Sequence, residues 1–255
     1  MTSTPTALLP EELVKMLELA EQSDSVELKL TVPASAYRTA AKALALDPLD
    51  AQIRQVFFFD TPDLALNSAG VVVRARRVQA RDSDSTVKLR PIVPAELDPT
   101  VRLSKQFNVE VDAMPGGYVC SGSMKNTLPP TAVLPSVGGD QPIHKLFSKE
   151  QRAFYAAHAP DGLSLDDLSV LGPILVLKVK FSPKDLTQRL VVELWTYPDG
   201  SRVVELSTKT TPSDALKVAI TTRSYLASHG IPVGGEQTTK TKTALEFFAA
   251  ELRTS

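Results

Sequence analysis

Apolar and charged residues alternate with period two through several segments of this chain, the pattern of strands that bury one face. Val26–Val32 sets Val26, Leu28 and Leu30 against Glu27, Lys29 and Thr31, and Pro33 stops it. Strands are likewise expected at Ile53–Asp60, which runs into the turn Thr61-Pro62-Asp63, at Val71–Val78 after Gly70, and at Ser85–Pro91 across the polar turn Ala80–Asp84. Val101–Ala113, Ile174–Phe181, Arg189–Tyr197 and Arg202–Thr210 follow, the last two joined by the hairpin signal Pro198-Asp199-Gly200. Helical spacing marks Pro10–Gln22, where Leu13, Met16, Leu17 and Ala20 recur among Glu and Lys, and also Tyr37–Leu46, Ser148–Ala157, Ser213–His229 and Thr241–Arg253. A Gly-rich break at Gly234-Gly235 separates the last two helices. Pro91–Thr100 reads as a loop, and the stretch Pro115–Gln141, rich in Gly, Pro, Ser and Thr, as a long connection. About eight strands result, with helices between and after them.

At 255 residues, with 43% hydrophobic and 22% charged residues, the chain has the composition of an ordinary globular protein with a sizeable core. No run approaches the roughly 20 apolar residues of a membrane span, and Met1–Pro10 lacks the basic start and apolar stretch of a signal peptide. No membrane association and a cytoplasmic location are therefore expected. The lone Cys120, expected half-buried in or beside a loop, excludes an intramolecular disulfide and a cysteine metal cluster. His144, His158 and His229 stand at no metal-ligand spacing from one another, so solvated or capping roles are expected. A net charge of −1, with no aromatic-basic strip, speaks against a nucleic-acid partner.

The charged residues recur at period two within single strands. Glu27 and Lys29 share a strand face, as do Arg74 and Arg76, Lys88 and Arg90, Glu110 and Asp112, Lys178 and Lys180, and Glu193 with Trp195. An antiparallel sheet with one wet face gives the same alternation. Apart from Glu27 and Lys29, however, basic and acidic strands are separate, and the apolar faces must also be covered. A barrel with charge inside and helices outside satisfies both conditions. Buried charges need partners. A polyphosphate supplies them for Arg and Lys, and a divalent cation with oxygen ligands, Mg²⁺ or Mn²⁺, supplies one for the carboxylates.

The segment Gln55-Val-Phe-Phe-Phe-Asp60-Thr61-Pro62-Asp63-Leu64, followed by Leu66, Gly70 and Arg74-Ala-Arg76, resembles the CYTH family, also called triphosphate tunnel metalloenzymes. Thr86-Val-Lys88-Leu-Arg90 resembles the next family strand, and Glu27-Leu28-Lys29 the end of the Glu-x-Glu-x-Lys signature. Lys178, Lys180, Glu193 and Glu205 follow in the family's order without a distinctive motif. The resemblance implies an α+β fold, an eight-stranded antiparallel β-barrel forming a triphosphate tunnel with flanking helices. One CYTH-like domain is expected over 1–255, with a core at about 24–210 that carries the resemblance and C-terminal helices at about 212–255 that rest on no family match. Arg74, Arg76, Lys88, Arg90, Lys178 and Lys180 would bind phosphate, Glu27, Glu110, Asp112, Glu193 and Glu205 would ligate Mg²⁺ or Mn²⁺, and Lys29 would touch phosphate or tune the nearby carboxylates.

The implied partner is a small-molecule triphosphate or inorganic polyphosphate, and the implied reaction its metal-dependent hydrolysis. Two alternatives stand beside it: a non-catalytic polyphosphate or nucleotide binding module, and an adenylyl cyclase of class IV type. Ser25 stands where the signature has its first Glu, and Ser207 where a second late carboxylate is common, so the acidic set is thinned. Trp195 and Tyr197 are expected to pack, with stacking on a base or thiamine ring as the alternative. Lys240 and Lys242 are expected on a solvated surface, the alternative being a tail that closes one tunnel mouth.

Overall fold

The computed structural model describes residues 10–233 and 240–254. Among them nine strands close into one barrel: β1 Ser25–Val32, β2 Gln52–Asp60, β3 Val71–Val78, β4 Ser83–Leu89, β5 Phe107–Met114, β6 Gly117–Leu128, β7 Ser169–Phe181, β8 Leu190–Thr196 and β9 Arg202–Thr210. Around the ring the order is β1-β5-β6-β4-β3-β2-β7-β8-β9, and β9 pairs back onto β1. A closed ring with an odd number of strands cannot alternate in direction throughout. The parallel pair this requires is β1 with β5, which sets Ser25 opposite Glu110 and Glu27 opposite Asp112. The expected eight-stranded antiparallel barrel is thus corrected to a nine-stranded mixed barrel within an α+β fold.

The ninth strand is β6, which lies in the stretch expected to be a connection. Its Gly and Ser residues mask the pattern. A Cβ on Gly122 would come within 2.5 Å of Phe107 Cζ, so this glycine answers to packing between β5 and β6. The turn is only Pro115-Gly116, where Gly116 takes φ 81°. Three smaller boundaries also move. Asp98 accepts from the Thr100 N–H and Pro99 follows it, so Pro99–Arg102 is a helical turn and β5 begins only at Phe107. β4 starts at Ser83, so Asp84 lies on a strand and not in the turn. β7 runs back past Pro173 to Ser169, because Gly172 and Pro173 occupy an irregularity opposite Val56–Phe58, where a missing N–H is tolerated.

The helices are α1 Pro10–Glu21, α2 Tyr37–Ala43, α3 Ala65–Ser68, α4 Pro99–Arg102, α5 Val133–Val137, α6 Lys149–Ala156, α7 Ala215–Ser228 and α8 Lys240–Thr254. The expected Gly234-Gly235 break lies outside the described residues. No described helix is long and apolar enough to cross a membrane. Most of the helices cover the outward apolar faces. Phe154 and Tyr155 of α6 and Val133 of α5 join Phe57, Phe59, Val73, Val87 and Val109 in one core, while α2 and α7 meet Leu30, Leu190 and Leu206 in a second. Gln151 pins α6 to the barrel: fully buried, it donates to Ser85 O at 3.1 Å and Met124 O at 3.0 Å and accepts from Ser85 Oγ at 2.9 Å.

The last helix, α8, packs on the other side of the strands. Its Ala244, Leu245 and Phe248 cluster with Val56, Phe58, Val176 and Trp195. Val56, Val176 and Trp195 line the barrel interior, so α8 sits over one end of it.

Candidate functional site

Inside the barrel is a cavity of about 540 Å³. It is lined by all twelve residues the sequence singled out: Lys29, the six basic residues Arg74, Arg76, Lys88, Arg90, Lys178 and Lys180, and the five carboxylates Glu27, Glu110, Asp112, Glu193 and Glu205. Arg54, Lys125, Lys209 and Lys240 line it as well, making eleven basic side chains against five acidic ones. A chain of net charge −1 therefore holds a strong local excess of positive charge in its interior.

Two motif residues position this lining without entering it. Asp60 accepts from the N–H groups of Thr61, Leu66 and Asn67 at 2.8, 2.9 and 3.0 Å, which fixes the turn between β2 and α3. Gly70 takes φ 74°, and a Cβ there would stand 2.9 Å from Arg90 O; its own carbonyl accepts the Arg90 N–H at 2.8 Å. The glycine of the motif thus sets the backbone that carries Arg90.

The basic wall is unevenly neutralised. Arg76 donates a fork of bonds to Asp84, from Nε to Oδ1 at 2.9 Å and from Nη2 to Oδ2 at 3.0 Å. Arg74, one alternation away, has no hydrogen bond or ion pair among the described residues, and its Nε is buried without a partner. Burial, and then the neighbouring Arg76, press its pKa down to about 9, although a guanidinium remains charged at neutral pH. Burial likewise lowers Arg54 and brings Lys88 to about 8, against the pull of Asp112.

The carboxylates fall into two groups. Glu27, Glu110 and Asp112 each offer one oxygen, and these oxygens lie within 4.8 Å of one another. Asp112 is buried and held by Lys29 at 2.7 Å, by Arg90 and by Lys88 at 3.7 Å; Lys29 also reaches Glu27 at 3.2 Å. Burial alone would raise Asp112, but Lys29, Lys88 and Arg90 hold it well below the usual carboxylate range. The same two carboxylates, with Glu205, keep the Lys29 ammonium above its ordinary value despite burial. Ser25, which stands where the family signature has its first Glu, gives its hydroxyl to Glu110 Oε2 at 3.4 Å. Three clustered carboxylate oxygens suit a hard divalent cation.

Glu193 and Glu205 form the second group, directly opposite each other across β8 and β9. Glu193 bonds Lys178 at 2.8 Å and accepts the Trp195 indole N–H at 3.2 Å. Both carboxylates also meet Lys240, whose ammonium was expected on a solvated surface. Its position inside the tunnel follows from the seating of α8, which a reading of β periodicity does not reach. Asp84 was missed because it fell in an expected turn, and Arg54 because no second charge stands two residues from it on its strand face; the period-two step from Arg54 to Val56 and Phe58 was the available signal. Trp195 and Tyr197 are packing residues, 4% and 2% exposed. Cys120 lies on β6, buried, with its thiol pushed up to about 11 by burial. His158 and His229 meet the carbonyls of Phe154 and Tyr225 at 2.8 Å, the capping role expected of them.

No family model and no curated protein matches the sequence. Solved structures do match. A candidate adenylate cyclase of Bacillus halodurans is 14% identical, with a TM-score of 0.60 over 86% of this chain and 97% of its own. The Hippeastrum protein HpAC1, a candidate adenylyl cyclase with a dominant triphosphatase activity, is 17% identical, with a TM-score of 0.62 over 87% of this chain and 95% of its own. At these identities the likeness is one of fold, a closed barrel with helices, which agrees with the coarser part of what the CYTH resemblance implies.

Proposed function

We propose that this protein binds small-molecule triphosphates in its tunnel and hydrolyses them with a divalent metal, Mg²⁺ or Mn²⁺. The observation that carries the reading is Arg74: a buried guanidinium with no hydrogen bond or ion pair among the described residues, pressed by Arg76 and Arg54 and only distantly offset by Asp84 and Glu193, is costly unless a polyanion occupies the space beside it. The dominant triphosphatase activity of HpAC1, on the same fold, supports the same reaction. Burial of Trp195 under α8 counts against a base-stacking platform and so favours hydrolysis over cyclisation of a nucleotide.

In this reading Arg74, Arg76, Lys88 and Arg90 neutralise phosphate oxygens from one side and Lys178 and Lys180 from the other, aligning the phosphate chain. Glu27, Glu110 and Asp112 hold the metal, which supplies Lewis-acid charge to a phosphoryl oxygen and acidity to a water. Lys29 keeps Asp112 and Glu27 ionised and oriented towards that task, the carboxylate-tuning role. Because phosphoryl transfer spreads charge over the equatorial oxygens, fixed guanidinium and ammonium groups are what such a site has to provide.

The test is phosphate release from inorganic tripolyphosphate, thiamine triphosphate and ATP with each metal, comparing wild type with Arg74→Ala and Glu27→Gln, alongside an assay for cyclic AMP from ATP. Metal-dependent release lost in both variants supports the reading. A wild-type protein that releases no phosphate from any of the three, or that converts ATP chiefly to cyclic AMP, overturns it.

A further inference from the structure

Two carboxylates directly opposite each other on neighbouring strands repel, and at neutral pH such a pair must share a proton or hold a cation. Glu193 and Glu205 are such a pair, and the cation between them is part of the chain. The Lys240 ammonium contacts Glu193 Oε2, lies 2.7 Å from Glu205 Oε1 and stands 5.2 Å from the centre of the Trp195 ring. Burial works against its charge, yet Glu193 and Glu205 raise its pKa; conversely Lys240 and Lys178 hold Glu193 well below the usual range.

The ammonium is also fixed from behind. Lys240 opens α8, its carbonyl accepts the Tyr197 hydroxyl at 3.2 Å, and Ala244, Leu245 and Phe248 seat the helix against Val56, Phe58 and Trp195. The lysine is therefore delivered by packed structure and not by a solvated side chain that happened to fold inward.

We infer that Lys240 is a tethered cation that takes the place of a divalent ion between Glu193 and Glu205, leaving Glu27, Glu110 and Asp112 as the tunnel's one divalent-metal site. A lysine supplies one unit of charge and three donors where a metal ion would supply two units and open coordination positions. Lys240 is on this view a positioning residue: it holds Glu193 ionised for Lys178 and keeps metal away from the Trp195 side of the tunnel. The inference rests on the proposed metal-dependent reading for its context, but its test counts metal and needs no turnover.

The experiment counts bound Mn²⁺ by electron paramagnetic resonance, without any phosphate ligand, in wild type, Lys240→Met, Lys240→Arg and the double variant Lys240→Met/Glu205→Gln. The expected result is one more Mn²⁺ in Lys240→Met than in wild type, no gain in Lys240→Arg, and loss of the gain in the double variant. Equal counts in wild type and Lys240→Met overturn the inference. So does a second wild-type ion that Glu205→Gln removes, an outcome that needs no folded Lys240 variant. Adding Glu27→Gln separates the two readings: it lowers the wild-type count if the three-carboxylate site holds metal, and leaves the gain from Lys240→Met in place.

Discussion

The Lys88 ammonium stands 3.7 Å from the Asp112 carboxylate, in contact range but outdone by Lys29 and Arg90, which share the same two oxygens. Burial is the largest influence on Lys88, and with Arg90 and Lys29 it overcomes Asp112 and brings the pKa to about 8. The ammonium is therefore full below about pH 8 and lost above it. An unfolded lysine titrates near 10.5, so between about 8 and 10.5 the unfolded chain binds more protons, and Lys88 makes stability rise with pH across that window. A triphosphate bound beside Lys88, as proposed, would restore the ammonium. Calorimetry of tripolyphosphate binding near about pH 8.5, in buffers of different ionisation heat, should show proton uptake that Lys88→Gln reduces. Binding without uptake in wild type would remove Lys88 from the phosphate site.

In the proposed reading, a bound polyanion would offset the cost of burying Arg74. Arg74→Met, which keeps the stem and deletes the charge, should weaken tripolyphosphate binding roughly 10- to 100-fold, the worth of one or two charge-assisted hydrogen bonds. The same change should leave the unliganded protein as stable or raise its stability by about 1 kcal/mol, since it removes a buried cation without a partner. Thermal melts with and without tripolyphosphate measure both effects. A variant markedly less stable without ligand would mean that Arg74 is a structural group.

Asp112 is the opposite case, a carboxylate shared by three cations. Asp112→Asn leaves Lys29, Lys88 and Arg90 without that charge and should cost about 3–5 kcal/mol in denaturant unfolding at neutral pH, the usual penalty for breaking a buried ionic cluster. Mn²⁺ affinity should drop at least about tenfold, because one of three carboxylate donors loses its negative charge. Metal-free tripolyphosphate should bind more tightly to the variant, since the tunnel gains net positive charge. Unchanged Mn²⁺ affinity would place the metal elsewhere.

The period-two pattern made the tunnel lining legible, because inward charge and outward apolarity are a local property of each strand. All twelve singled-out residues consequently face one cavity. Partners across the ring were not legible in the same way. The union of Glu27, Glu110 and Asp112 depends on the parallel pairing of β1 with β5, a long-range choice forced by ring closure. Likewise Lys240 meets Glu193 across 47 residues of sequence, through a helix whose own periodicity says only that one face is apolar. β6 failed for a third reason: glycine and serine at close-packed or inward positions carry the composition of a loop.

Gly122 and Gly117 both lie on β6, and composition alone treats them alike. A Cβ at Gly122 would meet Phe107 Cζ at 2.5 Å and Ile92 Cδ1 at 3.2 Å, whereas one at Gly117 has nothing within 4 Å. Gly122→Ala must therefore push the Phe107 ring towards Phe154, its edge-on neighbour at 5.4 Å between ring centres, in a core that has little free volume. The expected cost is about 1–3 kcal/mol, against less than about 0.5 kcal/mol for Gly117→Ala, both read by urea unfolding. Phe107→Leu should recover part of the loss in Gly122→Ala by making room for the new methyl group, although alone it removes buried surface. Equal tolerance of alanine at the two glycines would show that β6 is not held against β5 at Phe107, and with it the barrel closure that brings Glu110 and Asp112 to the site would lose its support.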